Sequence, residues 1–355
     1  MLTGWIGVLT AGFLGGSFAV PARRLRAMSW DGAWLIYSVV AQILMPCLLG
    51  VLFAAPLFSR VFPEHGPLVG YVMLAGALWG CGTFLFGSCI PRLGLATTNA
   101  VVSGTVALVG SLSPLWVGAA QIAEDDLGLL IAGLSTLAAG IAASGRAALL
   151  RDRAAAQPNE EARQPAAGSV LTAAPAGVLL ALLSGFLSSM LNAGFVYGQP
   201  LMKLAAEHGV DAAFTSLAVW IPLLGGGFLV NALATNVRLL KSGEHGRMVR
   251  APRSDWLRAM SMGLLWASAL LTYGASVQHL GRAGLVYGWA LASGTSLLVA
   301  TFWGLSLGEW KGASARTKSW LWAGLILILF SLFLLSTGKP VDQAESLAPA
   351  LEAPG

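Results

Sequence analysis

Apolar runs of about 20 residues, the length a helix needs to cross a lipid bilayer, recur ten times along this chain. They fall at roughly 3–21, 33–57, 67–90, 94–119 and 127–148, then at 175–200, 212–239, 256–278, 283–307 and 319–337. Lipid offers no partner to an exposed N–H or C=O, so such runs must satisfy their backbone internally, as helices. Only 10% of the residues are charged, against about 25% in a soluble domain. The expectation is an all-α integral membrane protein of about ten transmembrane helices. Several gaps are only a few residues long, which makes the neighbouring helices antiparallel hairpins.

The ten runs fall into two related sets. Gly76-Ala77-Leu78-Trp79 returns as Gly263-Leu264-Leu265-Trp266, an offset of 187 (263 − 76). Gly87, Leu93-Gly94, Ala96 and Trp116 meet Gly274, Leu280-Gly281, Ala283 and Trp303 at the same offset. Ser103-Gly104-Thr105 recurs as Ser293-Gly294-Thr295, Gly12-Phe13-Leu14 as Gly185-Phe186-Leu187, and Asp31-Gly32-Ala33-Trp34 as Asp211-Ala212-Ala213-Phe214. The spacing predicts a five-helix repeat over 1–148 and a second over 173–337. Between them, 149–172 reads as a polar cytoplasmic linker carrying Arg151, Pro158 and Pro165; 338–355 reads as a disordered tail.

Charge sets the orientation. Seventeen of the Lys and Arg residues follow odd-numbered helices; the other side carries Arg60, Lys203, Arg282 and Lys339. The positive-inside rule places the odd loops in the cytoplasm and both termini in the periplasm. Five is an odd number, so the second repeat enters the bilayer inverted relative to the first. Inverted repeats that exchange conformations present one site alternately to the two sides of a membrane. The net charge of +5 sits in short loops between apolar runs, a pattern of topology rather than of nucleic-acid binding. Arg23, Arg24 and Arg26 follow the first run instead of preceding it, which predicts a retained helix rather than a signal peptide.

Cys47, Cys81 and Cys89 all lie in apolar runs, without metal or disulfide spacing. His65, His208, His245 and His279 are scattered over loops and helix ends, so no metal, cofactor or embedded metalloenzyme is expected.

Several stretches carry a family likeness. Two five-helix halves resemble the drug/metabolite transporter superfamily. Within it, Gly76-Ala77-Leu78-Trp79-Gly80, Arg92-Leu93-Gly94, Gly209-Val210-Asp211, Gly225-Gly226-Gly227-Phe228-Leu229-Val230-Asn231 and Glu309-Trp310 resemble the bacterial L-rhamnose/proton symporter family. Met28-Ser29-Trp30-Asp31 is similar to a Trp-plus-acid stretch there, with Asp in place of Glu. The likeness covers nearly the whole chain, is most specific over about 180–240 and departs most around Tyr273–Trp303. It implies an inner-membrane sugar carrier driven by protons. An exporter or exchanger of other metabolites or drugs on this scaffold, and a non-transporting membrane sensor, stay open.

A sugar site needs hydrogen-bonding groups and a flat apolar face between the halves, at mid-membrane. Ser184, Ser188, Asn192 and Gln199 fall near one face of the sixth helix; Asn99 and Ser103 pair on the fourth, and Gly227, Asn231 and Thr235 on the seventh. Trp79 and Trp266, at equivalent positions, are expected to flank a pseudo-symmetric cavity and stack on a sugar ring; Tyr273, Tyr287 and Trp289 are further candidates. The competing expectations are polar side chains that join helices and Trp or Tyr that anchor at the interface. Pro91, Pro114, Pro200 and Pro222 either break helices or end them. A driving proton needs a titratable group. The candidates are Asp31, Asp211 and Glu309, where the resemblance holds, and His279.

Overall fold

The structure, a computed structural model, describes residues 2–119, 124–155 and 175–337. Among the described residues ten helices are long and apolar enough to cross a membrane. They are α1 (Leu2–Arg24), α2 (Trp30–Phe53), α3 (Gly66–Leu93), α4 (Thr97–Trp116), α5 (Leu127–Ala154), α6 (Ala176–Glu207), α7 (Leu217–Ser242), α8 (Arg253–Leu280), α9 (Ala283–Ser306) and α10 (Ala315–Ser336). One helix answers each apolar run. Large apolar side chains stay exposed on the outside, as along Trp322, Ile326, Leu329 and Phe333 of α10. That is the surface a lipid-facing helix presents.

Local chemistry fixes the ends. The Ser29 hydroxyl accepts the Gly32 N–H at 3.3 Å to cap α2, and Ser314 caps α10 in the same way. These are side-chain acceptors for otherwise orphaned N–H groups. Gly94 (φ 77°) and Gly281 (φ 55°) end α3 and α8. Both adopt a backbone that L side chains avoid, and they are counterparts at the repeat offset of 187 (281 − 94).

Several expected boundaries move by a few residues; the second helix ends at Phe53 and the seventh begins at Leu217, and two shifts are larger. Helix continues through Ala155, so 149–155 of the expected linker is helical: Ala, Leu and Arg favour helix there and no Gly or Pro intervenes. Residues 156–172 of that linker, and the tail at 338–355, lie outside the described residues. The sixth span runs on to Glu207 in three pieces, Pro175–Ser188, Met190–Tyr197 and Gln199–Glu207. Pro200 stands in the first turn of the last piece, where its missing N–H costs nothing. Pro222, in contrast, stays inside an unbroken α7.

The main packing pairs are α5 with α10, α3 with α7, α2 with α8, α1 with α8 and α9, and α6 with α3 and α4. Exchanging α1–α5 for α6–α10 maps this set onto itself. Glycine makes the close approaches. A Cβ on Gly12 would lie 2.5 Å from Thr295 Cβ and 2.8 Å from the Ala292 carbonyl oxygen. A Cβ on Gly185 would lie 2.5 Å from Thr105 Cβ and 3.0 Å from the Val102 carbonyl oxygen. The α1–α9 and α6–α4 seams thus use the same Gly–Thr contact, built from the motifs that repeat in the sequence. In the α5–α10 seam, Cβ atoms on Gly140 and Gly324 would each sit within 3.0 Å of the other's carbonyl oxygen. Small residues that let backbones meet are how helices associate in lipid.

Charged groups tie the loops that follow odd-numbered helices. Glu309 pairs with Arg23 and, at 3.2 Å, with Arg151, joining the ends of α1 and α5 to the α9–α10 loop on one face. Asp255, fully buried, accepts backbone N–H groups of Arg26, Ala27 and Met28 at 2.9–3.1 Å and the Arg258 guanidinium at 2.8 Å. It pins the α1–α2 loop to the start of α8.

Candidate functional site

A cavity of about 570 Å³ opens on the Arg-rich face, within the range typical of small-molecule sites. It is walled by α1, α2, α3, α4, α6 and α7. Trp30, Asp31 and Arg238 stand at its rim and Thr83, Ser188, Asn231 and Thr235 further in. Helical spacing brings Asn231, Thr235 and Arg238 of α7 to one side, as it does Thr83 and Gly87 of α3.

Two polar features interrupt apolar walls. Inside, Asn231 is 4% exposed. Its Oδ1 lies 2.8 Å from the Thr83 hydroxyl, and its amide nitrogen donates to Gln42 Oε1 at 3.4 Å. At the rim Asp31 faces Arg238 at 3.6 Å, and the Arg238 guanidinium lies 5.3 Å from the centre of the Phe84 ring. Among the described residues these two are the only acidic or basic side chains in the lining, one of each sign, so the lining carries no net formal charge. Phe18, Trp34 and Phe84 supply flat apolar surface, with Trp34 stacked on Trp30 at 5.6 Å.

The other face is shut at the matching place. Phe86, Gly87 and Ile90 line the cavity; their counterparts at the offset of 187 (273 − 86) are Tyr273, Gly274 and Val277. Asp31 and Trp34 correspond at an offset of 180 (211 − 31) to Asp211 and Phe214. Tyr273 and Val277 are packed into one apolar cluster with Ala54, Leu191 and Val210, and Phe214 packs against it. Phe214 also stacks on Phe53, centroids 4.6 Å apart and planes 7° from parallel.

Over residues 2–339 the sequence matches the family described as L-rhamnose-proton symport protein (RhaT). The chain belongs to that family. It is 25% identical over 334 residues to the L-rhamnose-proton symporter of Cronobacter sakazakii, covering 92% of this chain and 94% of that one. To the symporter of the same name in Citrobacter koseri it is 24% identical, covering 90% and 93%. One solved structure, described only as the crystal structure of a protein, superposes with a TM-score of 0.56 at 16% identity, over 99% of this chain and 100% of its own. That likeness shows the fold alone.

The expected site residues of this RhaT-family chain scatter on inspection. Asn231 and Asp31 meet in the cavity, with Ser188 and Thr235. Trp79 and Trp266 do not flank it. They stack on each other, centroids 5.5 Å apart and planes 10° from parallel, one helical turn beyond Thr83. Asn99 and Glu309 line a separate pocket of about 200 Å³ among α4, α5, α9 and α10. Asn192 is a helix joint: its amide donates to the Gly110 carbonyl at 2.8 Å and Ser113 at 3.1 Å, and its oxygen accepts from Tyr273. Gln199 bonds to the Phe195 carbonyl of its own helix. Tyr287 is buried in an apolar cluster with Val8 and Leu130. Asp211 is exposed and accepts the Ala213 N–H at 2.8 Å, closing its own turn. His279 is exposed, with Nδ1 3.0 Å from the Ala275 carbonyl oxygen.

Sequence reasoning passed over Thr83, Trp34, Arg238 and Gln42. Gln42 carried a signal, being the sole carboxamide in the apolar run of α2. Trp34 carried another, since it closes the Asp31–Trp34 motif that repeats at Asp211–Phe214.

Proposed function

We propose that this protein imports L-rhamnose with protons across the bacterial inner membrane by alternating access, the cavity being its sugar site in an inward-facing state. The observation that carries the reading is the composition of that cavity in a chain of this family. It offers hydroxyl and carboxamide groups for a sugar's hydroxyls, aromatic faces for the ring and methyl group of a deoxyhexose, and no net charge for an ionic solute. The chain then acts as a carrier, not as an enzyme.

The Lys and Arg bias supports placing the cavity mouth in the cytoplasm and both termini in the periplasm. The mapped helix pairs and the matched Gly–Thr contacts support two inverted repeats. Opening the packed counterpart around Tyr273 and Val277 while closing the cavity then gives the outward-facing state. Asp31 is the coupling carboxylate: of the four candidates it alone lines the cavity, and its partner Arg238 is released when it takes up a proton. Glu309, held by two arginines in another pocket, acts as a loop tie.

Uptake of labelled L-rhamnose into cells lacking their own carrier tests this, with and without a protonophore. Concentrative uptake that the protonophore abolishes is expected. No uptake by protein shown to be in the membrane removes the sugar assignment. Uptake indifferent to the protonophore removes the proton.

A further inference from the structure

Gln42 sits halfway along α2, 1% exposed, in the stretch Val39–Leu44 where that span widens into a π-helix. Such turns are rare and gather at functional sites.

The polar chain running from Gln42 to the cavity is incompletely satisfied at both ends. Gln42 Oε1 accepts from the Asn231 amide, yet Gln42 Nε2 has no hydrogen-bond partner. At the far end the Thr83 hydroxyl has one proton and two acceptors, each 2.8 Å away: the Gly80 carbonyl and Asn231 Oδ1. Buried polar groups are rarely left so. A ligand hydroxyl donating to Asn231 Oδ1 would let Thr83 bond fully to Gly80. Gln42 suits that arrangement, because its oxygen holds the nitrogen end of Asn231 and leaves the acceptor end shared at the cavity wall.

We propose that Gln42 is a positioning residue for the sugar, acting through Asn231, whose orientation it fixes so that one hydroxyl of a given configuration is recognised. The proposal rests on the reading of the cavity as the sugar site. Without Gln42 the Asn231 carboxamide is free to turn over, exchanging donor for acceptor.

The test uses the full-length carrier reconstituted in proteoliposomes, measuring L-rhamnose uptake and its competition by a deoxyhexose that differs in one hydroxyl configuration. Gln42→Leu is expected to raise KM about tenfold, the scale of one hydrogen-bond partner, at near-constant maximal rate, and to flatten the discrimination between the two sugars. Gln42→Glu, which keeps an acceptor for the Asn231 amide, is expected to recover part of both. Adding Gln42→Leu to Asn231→Ala is expected to change discrimination no further. A folded Gln42→Leu carrier that discriminates like the wild type overturns the proposal. If Gln42→Leu does not fold, Gln42→Glu decides: KM within twofold of wild type with discrimination retained supports it, and lost discrimination overturns it. A wild-type carrier that moves no L-rhamnose overturns the reading of the cavity, and this inference with it.

Discussion

Two asparagines show how alike residues part company. Asn231 and Asn192 each interrupt an apolar helix, and each is almost wholly buried. Asn231 reaches a cavity wall; Asn192 spends its hydrogen bonds on Gly110, Ser113 and Tyr273. Asn231→Ala is therefore expected to lower L-rhamnose uptake by about tenfold or more at an unchanged protein level, read by transport and immunoblot. Asn192→Ala removes three buried hydrogen bonds and strands the Tyr273 hydroxyl, a loss of about 1–3 kcal/mol, while Ser113 and the Gly110 carbonyl keep the 2.7 Å bond between them; it is expected to lower the melting temperature of the purified carrier. Asp31→Asn is expected to abolish accumulation yet preserve exchange of labelled for unlabelled sugar, measured as counterflow. Sequence marked both asparagines and Asp31 because polar groups inside or beside apolar runs stand out. It did not separate cavity wall from helix joint, since that depends on what lies across the helix, far away in the chain. The same holds for Trp79 and Trp266, whose equivalence was plain but whose mutual stacking was not.

At the scale of helices, the number and place of the apolar runs were legible, their ends to within several residues, because lipid imposes length and composition together. The exceptions have local causes: helix-favouring Ala and Arg carry α5 to Ala155, and Pro200 restarts the sixth span instead of ending it. The π-helical turn of α2 left no such trace, since no residue type demands one. The glycine seams were half legible. Gly12 and Gly185 stood out in a motif that repeats, while the partner helix emerged only in three dimensions. Because the α1–α9 and α6–α4 contacts are alike, Gly12→Val and Gly185→Val are expected to reduce the folded yield to similar extents, by fluorescence-detected size exclusion. Both push a branched side chain into a threonine and a carbonyl, an overpacking worth about 1–3 kcal/mol each. Very unequal losses would argue against equivalent seams.

At the scale of the molecule, one vestibule stands open and its counterpart is packed shut. After replacement of Cys47, Cys81 and Cys89, Ile90→Cys is expected to react with a membrane-impermeant thiol reagent from the cytoplasmic side only. Val277→Cys is expected to react from the periplasmic side, and in opposite proportion as substrate and pH shift the carrier; reactivity that rises and falls together would rule out exchange between the halves. The two vestibules are also chemically unlike. Asp31 has Asp211 as its counterpart, but Arg238 corresponds to Phe58 (238 − 180). One doorway is bridged by an ion pair; at the other Phe214 stacks on Phe53. Gradients alone fix how far such a carrier can concentrate its solute, whatever its doorways are made of. On the proposed reading, the half-saturation at each face is not so constrained, and a sugar leaving past Asp31 and Arg238 meets different resistance from one arriving past Phe53 and Phe214. Under the proposed function the ion pair makes the protein a rectifier in rate while leaving it reversible in equilibrium.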